Sequence, residues 1–159
     1  PSGGAGLQAD MLTIASMGCH PLSIITAITV QDTVGVNDIF ALDPEWITDQ
    51  ARTVLEGMRV QVFKIGLLGS IEIIAAVAEV VSDYLYIALV MDLVLMSGRG
   101  DELANEDMID AMRELLLPQV TLLTPNSLEA RHLAQRDSDH ADSKLDLNLC
   151  AKRLLKMAL

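Results

Sequence analysis

The stretch Gln61-Val62-Phe63-Lys64-Ile65-Gly66-Leu67-Leu68-Gly69-Ser70, running on through Ile71 to Val81 and then Tyr86-Ile87-Ala88-Leu89-Val90-Met91-Asp92, decides the fold. Gln61 to Ile65 reads as a core strand, closed by the turn Gly66 to Gly69. Ser70 stands where a helix N-cap belongs, since its hydroxyl can accept from the free amides of a first turn. The helix it opens runs through Val81, and its only charges, Glu72 and Glu79, share one face, so the rest of its surface must be covered. Tyr86 to Met91 is the next buried strand, and it ends in Asp92. Strand, helix and strand at this spacing imply a right-handed crossover between parallel strands.

The same alternation extends in both directions. Upstream, Pro21 to Val30 is a β-branched run that reads as a buried strand of that sheet, ending at Gln31-Asp32-Thr33. A short extended piece, Asp38 to Leu42, precedes Asp43-Pro44, where Asp caps a helix and Pro fits its first position; Ile47, Ala51, Val54 and Met58 form the inner face. Before these, Leu7, Met11, Ile14 and Gly18 fall at helical spacing and predict a helix from about Ala5 to Met17, with Asp10 bordering its apolar stripe. Downstream, Asn105-Glu106-Asp107 opens a helix that turns Met108, Met112 and Leu115 inward and stops at Pro118. Val120 to Leu123 is a further strand, Thr124-Pro125-Asn126 leads into another helix, Gln135 to Ser143 is a polar loop, and Leu147, Cys150, Ala151 and Leu154 mark a last helix. The expected fold is α/β, a mainly parallel sheet with helices on both faces, in a single domain over residues 1–159.

Composition narrows the partners. A chain of 159 residues that is 51% hydrophobic can bury a real core. The net charge of −11, with 3% aromatic residues, argues against a nucleic-acid partner, which needs a basic face and stacking surfaces. A locally positive pocket could still take a small phosphorylated ligand. The longest apolar stretch, Tyr84 to Met96, is interrupted by Asp92 and falls short of the ~20 residues that span a bilayer, so no membrane role is expected. Cys19 and Cys150 lie far apart and no Cys or His pair has zinc-site spacing, which fits a reducing, cytoplasmic setting.

In open α/β sheets the ligand crevice lies beyond the carboxyl ends of the strands. Gln31, the turn Gly66 to Gly69, Asp92 and Thr124 to Asn126 collect there on this reading. The opening Pro1-Ser2-Gly3-Gly4-Ala5-Gly6 leads straight into a helix, where glycines let backbone approach a ligand; a flexible terminus would have the same composition. It lacks the P-loop pattern, and no strand precedes it as a dinucleotide fingerprint requires. Without initiator Met or leading strand, the chain reads as missing its true start. Asp92 interrupts an apolar run and needs a cation, a metal or donor groups, or it caps a turn. Glu129, three residues after Asn126, has capping-box spacing, which accounts for it without a ligand. Gln31 and Asp10 are each compatible with a ligand contact or with an ordinary polar position. The Ser97 to Asp101 loop reads as a solvated turn, with Arg99 as a candidate phosphate contact.

Five ordered motifs carry a resemblance. They are Pro1 to Asp10; Thr26-Ala27-Ile28-Thr29-Val30-Gln31-Asp32-Thr33-Val34-Gly35-Val36; Lys64-Ile65-Gly66-Leu67-Leu68-Gly69; Asp92-Leu93-Val94; and Leu123-Thr124-Pro125-Asn126-Ser127-Leu128-Glu129-Ala130. In order and spacing they resemble the hydroxymethylpyrimidine/phosphomethylpyrimidine kinases, ribokinase-like enzymes of thiamine biosynthesis. The resemblance implies phosphoryl transfer from Mg-ATP to 4-amino-5-hydroxymethyl-2-methylpyrimidine and then to its monophosphate. It implies that Ala5, Asp10, Gln31, Leu67 and Val94 hold the pyrimidine, that Asp92, Asn126 and Glu129 lie on the nucleotide side, and that Asp92 and Glu129 are the Mg²⁺ acids. It also implies a homodimer. The family usually has Pro, Met and Asn where this chain has Leu93, Leu67 and Asp32; the added charge of Asp32 is expected to disfavour a phosphorylated pyrimidine. The family's leading strand, and its later glycine-rich segment with the anion hole and the hydroxyl-activating residue, have no counterpart here, so no catalytic residue is expected in this chain, which alone should be inactive. Two other readings stay open: a non-catalytic pyrimidine-binding or regulatory module, and a pyridoxal-type kinase.

Overall fold

The computed structural model describes residues 3–32, 35–96, 103–135 and 145–157. The Ser97 to Asp101 turn with Arg99, and all of the Gln135 to Ser143 loop beyond Gln135, lie outside the described residues.

The deciding stretch makes the expected crossover, with two corrections: Tyr86 lies in an exposed turn before its strand, and the first strand is at the sheet edge with Val62 exposed, because only its inward alternate residues are covered. Strand β3 (Val62–Ile65), helix α3 (Ile71–Ser82) and strand β4 (Ala88–Met91) form a crossover whose strands pair in parallel, Val62 opposite Ala88 and Ile65 opposite Met91. Ser70 Oγ accepts from the Ile73 amide at 3.3 Å, and α3 buries Ile73, Ile74, Ala78, Val80 and Val81. A third parallel strand, β5 (Leu122–Leu123), pairs with β4, so β4 is central and its Leu89 and Met91 are buried. Helix α2 (Pro44–Gly57), capped by Asp43 Oδ1 on the Glu45 amide at 2.9 Å, packs on α3. Helix α4 (Glu106–Ala111) leads from β4 toward β5, and α5 (Ser127–Ala134) and α6 (Leu147–Leu155) pack on each other.

Pro21 to Val30 is not a strand of this sheet. Strand β1 (Ala27–Gln31) pairs antiparallel with β2 (Val36–Ala41) in a separate two-stranded sheet, with a bulge between Val30 and Gln31. Asp32 closes the turn: its Oδ1 accepts from the Gly35 amide at 2.9 Å, and its own amide donates to the Gly35 carbonyl. A β-branched run signals a strand but not its partner. The alternation in β1, with Ile28 and Val30 exposed, belongs to a strand covered on one face only.

Three helix faces also differ from expectation. Met58, read on the inner face of α2, follows the helix as its extended C-cap and is exposed, because the helix ends at Gly57 before its period brings Met58 inward. Helix α1 (Gly6–Ser16) buries none of its side chains, and Leu7 and Met11 stay exposed. After α4 the chain makes a π-helical turn, Met112–Leu116, and then a 3₁₀ turn, Leu117–Gln119, that carries Pro118. The wider turn adds a residue, so Leu116 takes the inward position read for Leu115, which is exposed.

Candidate active site

Backbone bonds carry the parallel sheet past its strand ends. The Asp92 amide donates to the Ile65 carbonyl at 2.9 Å and the Thr124 amide to the Met91 carbonyl at 3.0 Å. Asp92 and Thr124 therefore stand side by side at the carboxyl edge, and Thr124 Oγ1 donates to Asp92 Oδ1 at 3.2 Å. Lys64, next to the buried Ile65 on β3, projects to the opposite face of the strand. There its Nζ meets Asp92 Oδ2 at 3.2 Å and Asp10 Oδ2 of α1 at 2.7 Å. One ammonium thus joins the two acids assigned by resemblance to the two substrates. Burial pushes the Lys64 pKa down, the hydrogen bonds it donates to Asp10 and Asp92 and the attraction of their charges together push it up by more, and it sits above the ordinary 10.5. Lys64 belongs to one of the motifs, but the sequence alone assigns it no role in the site. The available signal was a lysine interrupting an otherwise apolar strand one residue before its end.

The other expected residues fall on several elements. Ala5 is the N-cap of α1, in extended conformation and without a side-chain cap bond. Gly6 begins the helix at φ +71°, which a side chain would strain, so the opening glycine is a conformational need as well as a possible ligand approach. Leu67, half-buried in the loop after β3, receives the Thr26 hydroxyl on its carbonyl at 2.8 Å, which ties the two-stranded sheet to this loop. Gly69, at φ +86°, is packed against the same sheet: a Cβ there would touch those of Ala41 and Ala27 at 3.5 and 3.6 Å. Val94 is half-buried just beyond β4. Gln31, expected at the carboxyl edge of the parallel sheet, is half-buried at the end of β1 on the two-stranded sheet instead.

Asn126 and Glu129 form a complete capping box. Asn126 Oδ1 accepts from the Leu128 and Glu129 amides at 2.9 and 3.0 Å, and Glu129 Oε2 accepts from the Asn126 amide at 2.8 Å. Glu129 is 6% exposed. Among the described residues no group of three His, Cys, Asp or Glu side chains is placed to hold a metal. Mg²⁺ is instead served by one or two carboxylates plus water and phosphate oxygens, and half-exposed Asp92 fits that requirement. A cleft of about 320 Å³ opens at the other end of the strands, among residues such as Leu55, Arg59, Tyr84 and Tyr86; it lies away from these acids. No described helix is long and apolar enough to cross a membrane.

A family model described as phosphomethylpyrimidine kinase matches residues 1–159. The hydroxymethylpyrimidine/phosphomethylpyrimidine kinase of Salmonella typhimurium strain LT2 is 37% identical over 157 residues, covering 99% of this chain and 58% of that protein. Among solved structures, phosphomethylpyrimidine kinase from Clostridium difficile 630 aligns with a TM-score of 0.84 and 31% identity, over 98% of this chain and 68% of that one. The Staphylococcus aureus pyridoxal kinase in complex with AMP-PCP and pyridoxal aligns with a TM-score of 0.78 and 28% identity, over 97% of this chain and 54% of that one. The fold is thus that of the ribokinase-like kinases, an α/β class. Within it, the chain belongs to the phosphomethylpyrimidine kinase family. It spans 58% of the length of the Salmonella relative.

Proposed function

We propose that the protein carrying this chain transfers the γ-phosphoryl group of Mg-ATP to 4-amino-5-hydroxymethyl-2-methylpyrimidine, and then phosphorylates the monophosphate, in thiamine biosynthesis. This chain contributes the pyrimidine pocket and part of the nucleotide and Mg²⁺ site. The observation that carries the reading is the Asp10–Lys64–Asp92 bridge at the carboxyl edge of the sheet, in a chain whose whole length matches the family.

Lys64 engages Asp10 through Oδ2. The lone pairs of Oδ1 can accept from the exocyclic amine of an aminopyrimidine, and Gln31 offers both a donor and an acceptor to the same kind of edge. Ala5 at the entrance of α1 and the apolar Leu67 and Val94 complete the pocket. On the nucleotide side stand Asp92, Asn126 and Glu129. Asp92, oriented by Thr124 and Lys64, presents hard oxygen donors suited to Mg²⁺. Glu129, with Oε2 committed to its helix cap, offers its other oxygen. When bound, Mg²⁺ neutralises phosphate charge during transfer. What these side chains contribute is placement: they set the hydroxymethyl group and the nucleotide in one crevice, which favours in-line attack. Asp32 accepts from the Gly35 amide and so also shapes the turn, while its charge still disfavours a phosphorylated pyrimidine on this reading. The natural protein acts as a homodimer on this reading, as its relatives' resemblance implies.

The test is product formation by the full natural protein given Mg-ATP and the pyrimidine, followed by mass spectrometry. Mono- and diphosphate products are expected; no turnover with either pyrimidine refutes the reading. Similarity to the pyridoxal kinase complex favours pyridoxal as the second candidate substrate. Direct competition decides between them, and preferential pyridoxal phosphorylation would reassign the substrate. Pyrimidine binding with no ATP binding, by calorimetry, would instead mark a non-catalytic binding module.

A further inference from the structure

We infer that Lys64 is a positioning residue that holds the pyrimidine-side carboxylate of Asp10 and the nucleotide-side carboxylate of Asp92 in a fixed relation, so that the state of one half of the site is felt by the other. The assignment of the two sides rests on the function proposed above; the bridge itself does not.

Helix α1, which carries Asp10, buries no side chain and has no side-chain cap, so packing does little to fix its carboxylate. Lys64 does not share that freedom. It lies within β3, its backbone is opposite Val90 of the central strand, and the next residue, Ile65, is buried in the core. The Lys64 ammonium therefore transmits the position of the sheet to Asp10 at 2.7 Å, while also contacting Asp92, one residue past the end of β4, at 3.2 Å. Removing it would leave two carboxylates of like charge without the cation between them.

The pairs are not a major source of stability. The Lys64, Asp10 and Asp92 side chains are 30%, 34% and 45% exposed, and water screens ion pairs at such positions. Their value is geometric. Gly66 contributes to this: a Cβ at that position would lie 3.6 Å from Nζ, so a larger side chain would cover the ammonium from the side of the loop. An ammonium with three donors can hold two carboxylates and still accept small adjustments of either, which suits a joint between moving ligands.

The experiment uses the full natural protein without nucleotide or Mg²⁺, as wild type, Lys64→Met, Lys64→Arg, Asp92→Asn and the double variant Lys64→Met/Asp92→Asn. Amide hydrogen exchange over Gly6–Ser16 reads the bridge without any ligand. Calorimetry with 4-amino-5-hydroxymethyl-2-methylpyrimidine reads its consequence for the site. Lys64→Met should speed exchange in α1 several-fold and weaken pyrimidine binding about 10-fold, the size of an ordinary coupling between sites. Lys64→Arg, which keeps the charge, should restore most of the exchange protection. Asp92→Asn should alter pyrimidine affinity when Lys64 is present and have no further effect in the Lys64→Met background. Unchanged α1 exchange in Lys64→Met, or effects of the two substitutions that simply add, would overturn the inference. A wild type that binds no pyrimidine would overturn the proposed substrate, and the exchange measurement would still decide whether the bridge exists. Should Lys64→Met fail to fold, Asp92→Asn and Lys64→Arg decide: unaltered pyrimidine affinity in the first and lost α1 protection in the second refute the inference.

Discussion

Replacing Glu129 separates two roles that one carboxylate could fill. Its Oε2 accepts from the Asn126 amide at 2.8 Å inside a complete capping box, and the residue is 6% exposed. Glu129→Gln keeps the volume and an acceptor oxygen but loses the charge. Exchanging a charge-assisted bond for a neutral one removes about 1 kcal/mol, and the lost interaction with the helix N-terminus removes up to about 1 kcal/mol more. The expected loss is about 1–2 kcal/mol, or roughly 3–6 °C in Tm for a chain of this size. Glu129→Ala in addition leaves the Asn126 amide unpaired and empties buried methylene space, for a loss of about 3–4 kcal/mol. Urea denaturation of both variants gives the ladder. Calorimetry with Mg-ADP gives the second role: if the charge also serves the metal side, Glu129→Gln binds Mg-ADP at least about 10-fold more weakly, a difference of about 1.4 kcal/mol, while remaining folded. A Glu129→Gln protein as unstable as Glu129→Ala refutes the capping argument. One that is folded and binds Mg-ADP like wild type leaves Glu129 a cap and nothing more.

Leu89, fully buried on the central strand, should lose about 3–5 kcal/mol as Leu89→Ala, read by denaturant midpoint; a loss below about 1 kcal/mol would mean that β4 is not the core strand. Gly69→Ala should cost about 1–2 kcal/mol because of its φ of +86°, not because of crowding, since the new methyl would sit at ordinary contact distance from Ala27 and Ala41; thermal melts check it. The Lys64 pKa is raised above 10.5 in the fold, so its contribution is complete below that pH and is lost as pH rises through the folded value. The stability difference between wild type and Lys64→Met should therefore stay level from neutral pH up to 10.5 and shrink above it, in urea melts across that range; a difference that already shrinks near neutral pH contradicts the two-carboxylate environment.

The crossover was legible because each local signal agreed with the next. The Ser70 hydroxyl, the widely spaced Glu72 and Glu79, the glycines after Ile65 and the apolar Leu89 to Met91 all require the same chain path. The Asp43 and Asn126 caps were legible for the same reason, since a cap is decided within three residues. The antiparallel pairing of β1 was not. Its residues differ little from those of a buried strand, and what distinguishes them is the turn at Asp32 and Gly35, whose significance depends on a partner strand four residues further on. The inward place of Leu116 was hidden by the π-helical turn, which changes the period that the reading of Leu115 assumed.

The site shows the same division. Asp10, Asp92 and Glu129 could be named because an acid beside an apolar run, or at a helix start, is conspicuous from the sequence alone. The relation among them could not, because it depends on Lys64, 54 residues from Asp10, and on the register that sets Ile65 opposite Met91. That register fixes which strand ends adjoin, and the alternation of β3 fixes the face from which the ammonium emerges. A lysine in a strand ordinarily signals exposure. Here it signals a place where two acids on different elements need one cation between them, and that requirement becomes visible only once the sheet has brought their backbones together.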